Sequence, residues 1–411
     1  MPRPHMWVRR RSRVLRQPHP ARGNELEPNL SSETQIALSR DARAGWPAPH
    51  LVLIAALVIV FVFQSAYAAD TNRLPRVRVI GTGGTIASKG KNALQLSGYS
   101  IALTARELLE SVPGLDKIAN VDAEQFSNIG SFAMTPDLWL KLARRINEIF
   151  QQDQELSGIV ISHGTDTIEE TAYFLHLTVQ SERPVVLVGA MRPASALSAD
   201  GPLNLLEAVR LATAPEARGK GVFVLLNDQI SSAREVTKQN TYRADAFQPG
   251  DFGYLGTVDT DRVVFYRAPL RRHTYKSDFK LDDLASLPRV DIVYTYAGGD
   301  GVMIDALTKA GARGIVVAGT GAGNMNSGAS EAALRARKAG VFIVRGTRVG
   351  SGRVIDSPPE AQDVKGAAQK YSDMGFISSD NLTPQKARIL LMLALTRTQD
   401  PREIQRIFEE Y

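Results

Sequence analysis

The 411-residue sequence contains no cysteine. Disulfides, thiol nucleophiles, thiolate metal sites and lipidated cysteine anchors are therefore excluded. An oxidising compartment permits disulfides without demanding them, so the absence is compatible with export and does not establish it. Net charge is also scarce outside the N-terminal region. The formal charge is +6, but residues 1–68 hold nine arginines against Glu25, Glu27, Glu33 and Asp41, and removing them leaves 40 basic and 39 acidic residues. A nucleic-acid surface needs a basic stripe on the folded body, so no nucleic-acid partner is expected. Neither an internal repeat nor a low-complexity tract follows the leader. The remaining composition, 44% hydrophobic and 22% charged, suits a globular protein with a large core, and the length allows two ordinary domains.

Residues 1–68 read as a disordered leader and signal peptide. Positions 51–63 form an uninterrupted apolar run of 13 residues, followed by Gln64, Ser65 and Ala66-Tyr67-Ala68. Small residues at the first and third of those last positions suit a signal peptidase, and Arg40 and Arg43 supply a positive flank. The run is short for a bilayer span, which needs roughly 17–25 residues. Cleavage after Ala68, a periplasmic destination and no stable membrane association after cleavage are the expectations. Residues 1–40, rich in Arg, Pro and His, lack apolar periodicity, and a translation start near residue 38 is consistent with that.

Beyond the leader, short β-branched runs alternate with helical spacing. Strands are expected at 76–80, 158–162, 185–188 and 222–226, with helices at 136–150, 168–177 and 201–212. A charged stretch interrupts the pattern, and a smaller series follows, with strands at 291–294, 314–318 and 341–344 and helices at 303–310, 330–339 and 384–395. The βα alternation predicts an α/β fold of two domains. A large N-terminal, mostly parallel sheet flanked by helices spans 69–267. A linker covers 268–288, and a smaller C-terminal α/β domain covers 289–411.

Glycine-rich loops invite a nucleotide-binding reading, but the required glycines are missing. In Gly81-Thr82-Gly83-Gly84-Thr85-Ile86 the third position of a G-x-G-x-x-G fingerprint is Ile86, and in Gly319-Thr320-Gly321-Ala322-Gly323-Asn324 it is Asn324. A Walker Gly-Lys-Ser/Thr is absent too, which leaves a nicotinamide oxidoreductase without its motif. What remains is a threonine at a strand's carboxyl end, with glycines that let a ligand approach the backbone. A second loop, Ser162-His163-Gly164-Thr165-Asp166-Thr167, offers a hydroxyl and a carboxylate; Asp166 or Thr167 could equally cap the following helix. His163 beside a glycine is as readily a packing group as a base. A third segment, between Asp228 and Asn240, carries Lys238. Threonine is protonated at neutral pH and attacks only when a neighbouring base takes its proton. A lysine desolvated among hydroxyls can be that base.

The motifs Thr82-Gly83-Gly84-Thr85-Ile86-Ala87, His163-Gly164-Thr165-Asp166-Thr167, Gly189-Ala190-Met191-Arg192-Pro193, Ser198-Ala199-Asp200-Gly201-Pro202 and Val236-Thr237-Lys238 occur in order. Together with Asn381-Leu382-Thr383-Pro384-Gln385-Lys386-Ala387-Arg388 they resemble the bacterial type II (periplasmic) L-asparaginase family, from about residue 74 to 411. The resemblance implies hydrolysis of L-asparagine to L-aspartate and ammonia through a threonine acyl-enzyme, with no metal or organic cofactor. It implies Thr85 as nucleophile with Tyr99 as its partner on a mobile loop. Thr165, Asp166 and Lys238 would form a second constellation. Ser131 would hold the substrate α-carboxylate and Asp166 its α-ammonium, with Gly84, Thr165 and an acidic residue at Glu360 completing the substrate contacts. Backbone N–H groups near Gly84 and Thr165 would receive the oxyanion. A homotetramer with sites shared between subunits follows from the same resemblance.

The chain departs from the pattern in several places. Phe132 stands where relatives carry Gln or Glu, Gly298 stands where a polar group is usual, and the segment before Tyr99 is one residue short. A broad glutaminase-asparaginase is the nearest alternative. A non-catalytic periplasmic amino-acid-binding module is another, although binding alone requires neither a nucleophile nor a base.

Overall fold

The computed structural model describes residues 73–282, 284–357 and 370–411. The leader with its cleavage site, and Glu360, lie outside these. Among the described residues, no helix is long and apolar enough to cross a membrane.

The first strand, β1 (Arg76–Gly83), runs three residues past the expected end and absorbs Gly81, Thr82 and Gly83 into the sheet. Only Gly84 and Thr85 stand at the turn, where a 3-10 segment begins. A short hairpin, β2 (Ser88–Lys89) and β3 (Ser100–Ile101), follows. Helix α1 (Ala105–Glu110) is closed by a capping box between Thr104 and Glu107. Next come β4 (Asn120–Ile129), α2 (Pro136–Gln152), β5 (Leu156–Ser162), α3 (Ile168–Thr178), β6 (Val185–Val188), α4 (Gly201–Thr213) and β7 (Val222–Leu226). Strand β8 (Gln229–Ser232) returns antiparallel, and two further hairpins pair β9 (Thr237–Lys238) with β10 (Phe247–Gln248) and β11 (Gly256–Val258) with β12 (Val263–Phe265). Lys238 therefore sits in a short strand rather than in an open loop.

The eight strands of the large sheet lie in the order β12-β11-β8-β7-β6-β5-β1-β4, parallel from β7 to β4. Strand alternation sends side chains to opposite faces. Ile159 and Ile161 pack with α2 and α3, whereas Val160, Val186 and Val188 pack with α4 and α1. Both faces are covered, as a parallel sheet requires. Strand β4 escapes a reading by hydrophobic runs because it lies at the sheet edge and carries Asn120, Asp122, Glu124, Gln125 and Asn128.

The second sheet is wholly parallel, in the order β13 (Val290–Tyr294), β14 (Gly314–Gly319), β15 (Phe342–Thr347) and β16 (Phe376–Ser378). Helices α5 (Val302–Lys309) and α6 (Ser327–Lys338) cover one face. Helix α6 begins a turn earlier than expected because the Asn326 side chain accepts the Ala329 N–H. The other face meets α7 (Pro384–Ala394), which also packs against α3 of the large sheet, and α8 (Pro401–Glu410) closes the chain. One apolar cluster thus runs from Trp139 and Phe174 through Leu390 to Val316 and Ile377. Among its described residues the charged stretch between the sheets holds no strand, yet it is well packed, with Phe279 and Leu281 in that same cluster.

Candidate active site

Five chain segments meet at the carboxyl ends of β1, β4 and β5, and glycines decide how closely. Gly83 has φ +106°, and a Cβ there would lie 2.5 Å from the Ile129 carbonyl oxygen of β4. Gly84 has φ +85°, and its Cβ would lie 2.3 Å from both Cα and N of Gly164. A Cβ on Gly164 would in turn stand 2.7 Å from Ser131 Oγ. Two loops some eighty residues apart therefore touch backbone to backbone, and the residues after each glycine, Thr85 and Thr165, become neighbours on one wall. Thr82 pins the contact from below by donating to the Ser162 carbonyl oxygen at 2.8 Å.

That wall belongs to a cavity of about 260 Å³ lined by Thr85, Tyr99, Ser131, Phe132, Thr165 and Asp166, with Gly84, Ser88, Ile101, Gly130 and Gly164. Ser88 pairs with Ile101 in the β2–β3 hairpin, and this folds Tyr99 back so that its hydroxyl lies 3.0 Å from Thr85 Oγ1. On the other side Lys238 Nζ donates to Thr165 Oγ1 at 2.9 Å and to Asp166 Oδ1 at 3.0 Å. Ser131 is buried, and its Oγ accepts the Asp166 N–H at 3.1 Å, which leaves the hydroxyl proton to donate elsewhere. Thr85, Tyr99, Ser131, Thr165, Asp166, Lys238 and Gly84 thus gather at one place.

Neither anticipated helix cap forms. The Thr167 hydroxyl donates to the Ser131 carbonyl oxygen at 2.7 Å, and the Asp166 carboxylate goes to Lys238, so α3 starts without a side-chain cap. Asp166 remains 60% exposed and Lys238 only 18%. The ammonium is sheltered while the carboxylate still faces whatever enters. Phe132, 80% exposed, stands at the mouth with its ring folded over Gly130.

His163 is a packing residue. It is fully buried, and burial lowers its pKa to about 4. The neutral ring donates from Nδ1 to the Gly164 carbonyl oxygen at 2.8 Å, so Nε2 must accept from the Thr171 hydroxyl at 3.0 Å. Thr171 Oγ1 meanwhile accepts the Trp139 indole N–H at 2.8 Å. Both ring nitrogens are spent on holding Gly164 against Gly84. The Gly-Ala-Met-Arg-Pro and Ser-Ala-Asp-Gly-Pro motifs are likewise scaffolding. Asp200 accepts the N–H groups of Met191 and Arg192, and Asn204 Nδ2 donates to the Gly189 carbonyl oxygen at 3.0 Å. Gly189 lies close enough to Thr165 that a Cβ would stand 3.0 Å from its Cγ2. Among the described residues, no group of three His, Asp or Glu side chains converges as metal ligands would.

Fold and site together define a class: a two-sheet α/β protein with paired hydroxyls and a lysine at the carboxyl ends of its parallel strands. Known sequences narrow the class. Residues 76–271 match "Asparaginase, N-terminal" and residues 289–408 match "Glutaminase/Asparaginase C-terminal domain". The chain is 47% identical over 349 residues to L-asparaginase 2 of Bacillus subtilis strain 168, covering 85% of this chain and 90% of that protein. It is 41% identical over 359 residues to a glutaminase-asparaginase of Pseudomonas fluorescens biotype A, covering 87% and 96%. A crystal structure from Campylobacter jejuni, described as a "Probable Cytoplasmic L-asparaginase", superposes with a TM-score of 0.77 at 44% identity, covering 82% of this chain and all of that one. The chain belongs to the asparaginase family.

Proposed function

We propose that this protein hydrolyses the side-chain amide of L-asparagine, giving L-aspartate and ammonia, with Thr85 as the attacking group. What carries the reading is one cavity in which a Thr85–Tyr99 hydroxyl pair stands beside Thr165 and Asp166, both of which accept from Lys238. Ser131 donates its free hydroxyl proton to the α-carboxylate, and the exposed side of Asp166 takes the α-ammonium. Thr85 Oγ1 then bonds to the amide carbon. Its proton passes through the hydroxyl network to the nitrogen, and the carbon–nitrogen bond breaks to release ammonia. Water next adds to the Thr85 ester, and its proton returns to Thr85 as aspartate departs. Backbone N–H groups near Gly84 and Thr165 receive the oxyanion at each step; such donors are worth about 10²–10³ in rate.

Thr85→Ala tests the assignment. Ammonia release from asparagine falls by at least about 10³-fold while the circular dichroism spectrum stays that of the parent. A fully active variant sinks the assignment, and an inactive parent leaves the binding-module reading standing. A broad glutaminase-asparaginase is the second reading, favoured by the Pseudomonas relative. One methylene discriminates by only about 1–3 kcal/mol, so kcat/KM for the two amides decides between them.

Export belongs to the same proposal. A Haemophilus influenzae relative, 44% identical over 346 residues, carries "periplasmic" in its name, and the leader has the charge, apolar run and small residues of a signal peptide. A mature N-terminus other than one near Ala69 would refute cleavage after Ala68. We further propose a homotetramer in which a neighbour's small domain, through Glu360, completes each site. Light scattering showing an active monomer would contradict it.

A further inference from the structure

Helix α7 reaches from the smaller domain to the backs of both loops that carry the Lys238–Thr165 contact. Gln385 Nε2 donates to Glu169 Oε1 at 3.3 Å, three residues beyond Asp166. Lys386, next along the helix, donates from Nζ to the Arg234 carbonyl oxygen at 2.9 Å and also to the Val236 carbonyl oxygen. Val236 lies two residues ahead of Lys238. Arg234 is itself held, its guanidinium donating to Asn381 Oδ1 at 2.9 Å and to the Tyr411 backbone oxygen. The segment leading into Lys238 is therefore gripped at alternate carbonyls from the smaller domain just before it pairs with β10, and the Lys238 side chain meets Thr165.

The grip uses an unusual residue. Lys386 is 1% exposed, and burying an ammonium group costs far more than burying a methionine of similar length. Burial lowers its pKa to about 8, against the opposing pull of Glu169, Glu235 and Glu170, with Arg234 adding to the lowering. It remains largely cationic at neutral pH. Packing alone does not call for a charge here, whereas two convergent carbonyl oxygens do.

We propose that Lys386 is a positioning residue for the hydrolysis: from the smaller domain it holds the strand of Lys238 so that the ammonium group meets Thr165. The inference rests on the proposed function and assigns Lys386 no contact with substrate.

Lys386→Met, Lys386→Gln and Asn381→Ala, made in the full chain, test it through steady-state ammonia release. Lys386→Met lowers kcat about 10–100-fold with KM changed less than about twofold, as a misplacement near 1 Å does. Lys386→Gln, which keeps an uncharged N–H donor group, lies between it and the parent. Adding Lys386→Met to a Lys238→Met background lowers kcat by less than about twofold further, because residues acting through one another are not additive. Should Lys386→Met fail to fold, Lys386→Gln and Asn381→Ala carry the test, with kcat losses of about 3–10-fold expected. Parental kcat in the folded Lys386 variants overturns the inference, and so does an undiminished further loss in the Lys238→Met background. A parent that releases no ammonia from asparagine overturns the proposed function itself, and this inference with it. An active parent with fully active variants overturns this inference alone.

Discussion

Trp139, Thr171 and His163 form a chain in which every polar hydrogen has one destination, so its parts can be removed singly. Thr171→Val takes the shared hydroxyl from the indole N–H and from His163 Nε2. An orphaned buried group costs about 1–3 kcal/mol. The expected outcome is a loss of about 2 kcal/mol, a Tm lower by a few degrees, and kcat within about twofold of the parent. Equal Tm values by calorimetry would contradict the hydrogen-bond assignment, and a tenfold loss of kcat would return His163 to the chemistry. Phe132 poses the opposite case, a large apolar residue mostly exposed at a polar mouth. A ring in so exposed a position offers an ammonium group about 0.5–1 kcal/mol. Phe132→Gln, which supplies a hydrogen-bond acceptor, is expected to lower KM for asparagine several-fold with little change in kcat; an unchanged KM would show that residue 132 does not meet the substrate.

At the scale of elements, the site depends on how near β1 and β5 bring their following loops. Nothing but hydrogen fits on Gly84, and φ +85° is strained for any other residue. Gly84→Ala must push Gly164 away and carry Thr165 with it. We expect a stability loss of roughly 2–3 kcal/mol and a kcat lower by about 10²-fold at temperatures where the variant is folded. Urea denaturation together with kinetics checks both. Near-parental kcat would mean that the two loops need not touch for turnover.

For the whole molecule, buried titratable groups set the response to pH. His163 and His273 have pKa values near 4 in the fold, and His176 is lowered well below 6.5, in each case chiefly by burial. Between about pH 6.5 and 4 the unfolded chain takes up protons that the native histidines refuse, so stability is complete above pH 6.5 and lost as the pH falls toward 4. For His163 alone the loss is on the order of 3 kcal/mol. Glu207 opposes this. Burial and Asp228 raise its pKa to about 8, so its contribution weakens as pH rises from about 4.5 to 8. Glu170, raised by burial, acts in the same sense as Glu207; three histidines outweigh these two carboxyls, and the urea midpoint is expected to fall between pH 7 and 4.5. His163→Asn should flatten that slope by about one proton; an unchanged slope would mean that His163 is protonated in the native state.

Strands β1, β5, β6, β7, β13, β14 and β15 could be read from the sequence because both faces of these parallel strands are buried, whereas the three-residue β16 offered too short a run. Runs such as Gly158-Ile159-Val160-Ile161 and Gly314-Ile315-Val316-Val317 leave no polar residue to contradict the period. The edge strand β4 and the short hairpins β8 to β12 could not, since their pairing depends on partners elsewhere rather than on their own apolar content. Among candidate site residues, Thr85, Thr165, Asp166 and Lys238 were identifiable as residue types in glycine-bounded or lysine-bearing motifs that resemble a family. Their convergence was not, because it depends on a Gly84–Gly164 contact between segments that local pattern cannot relate. Sequence determined which groups were available and which alternatives lacked their motifs. Tertiary structure decided that His163 packs, that Asp166 and Thr167 leave α3 uncapped, and that Lys386 grips the strand of Lys238. Hydrogen bonds and steric contacts are made between positions far apart along the chain, and only folding brings those positions within reach.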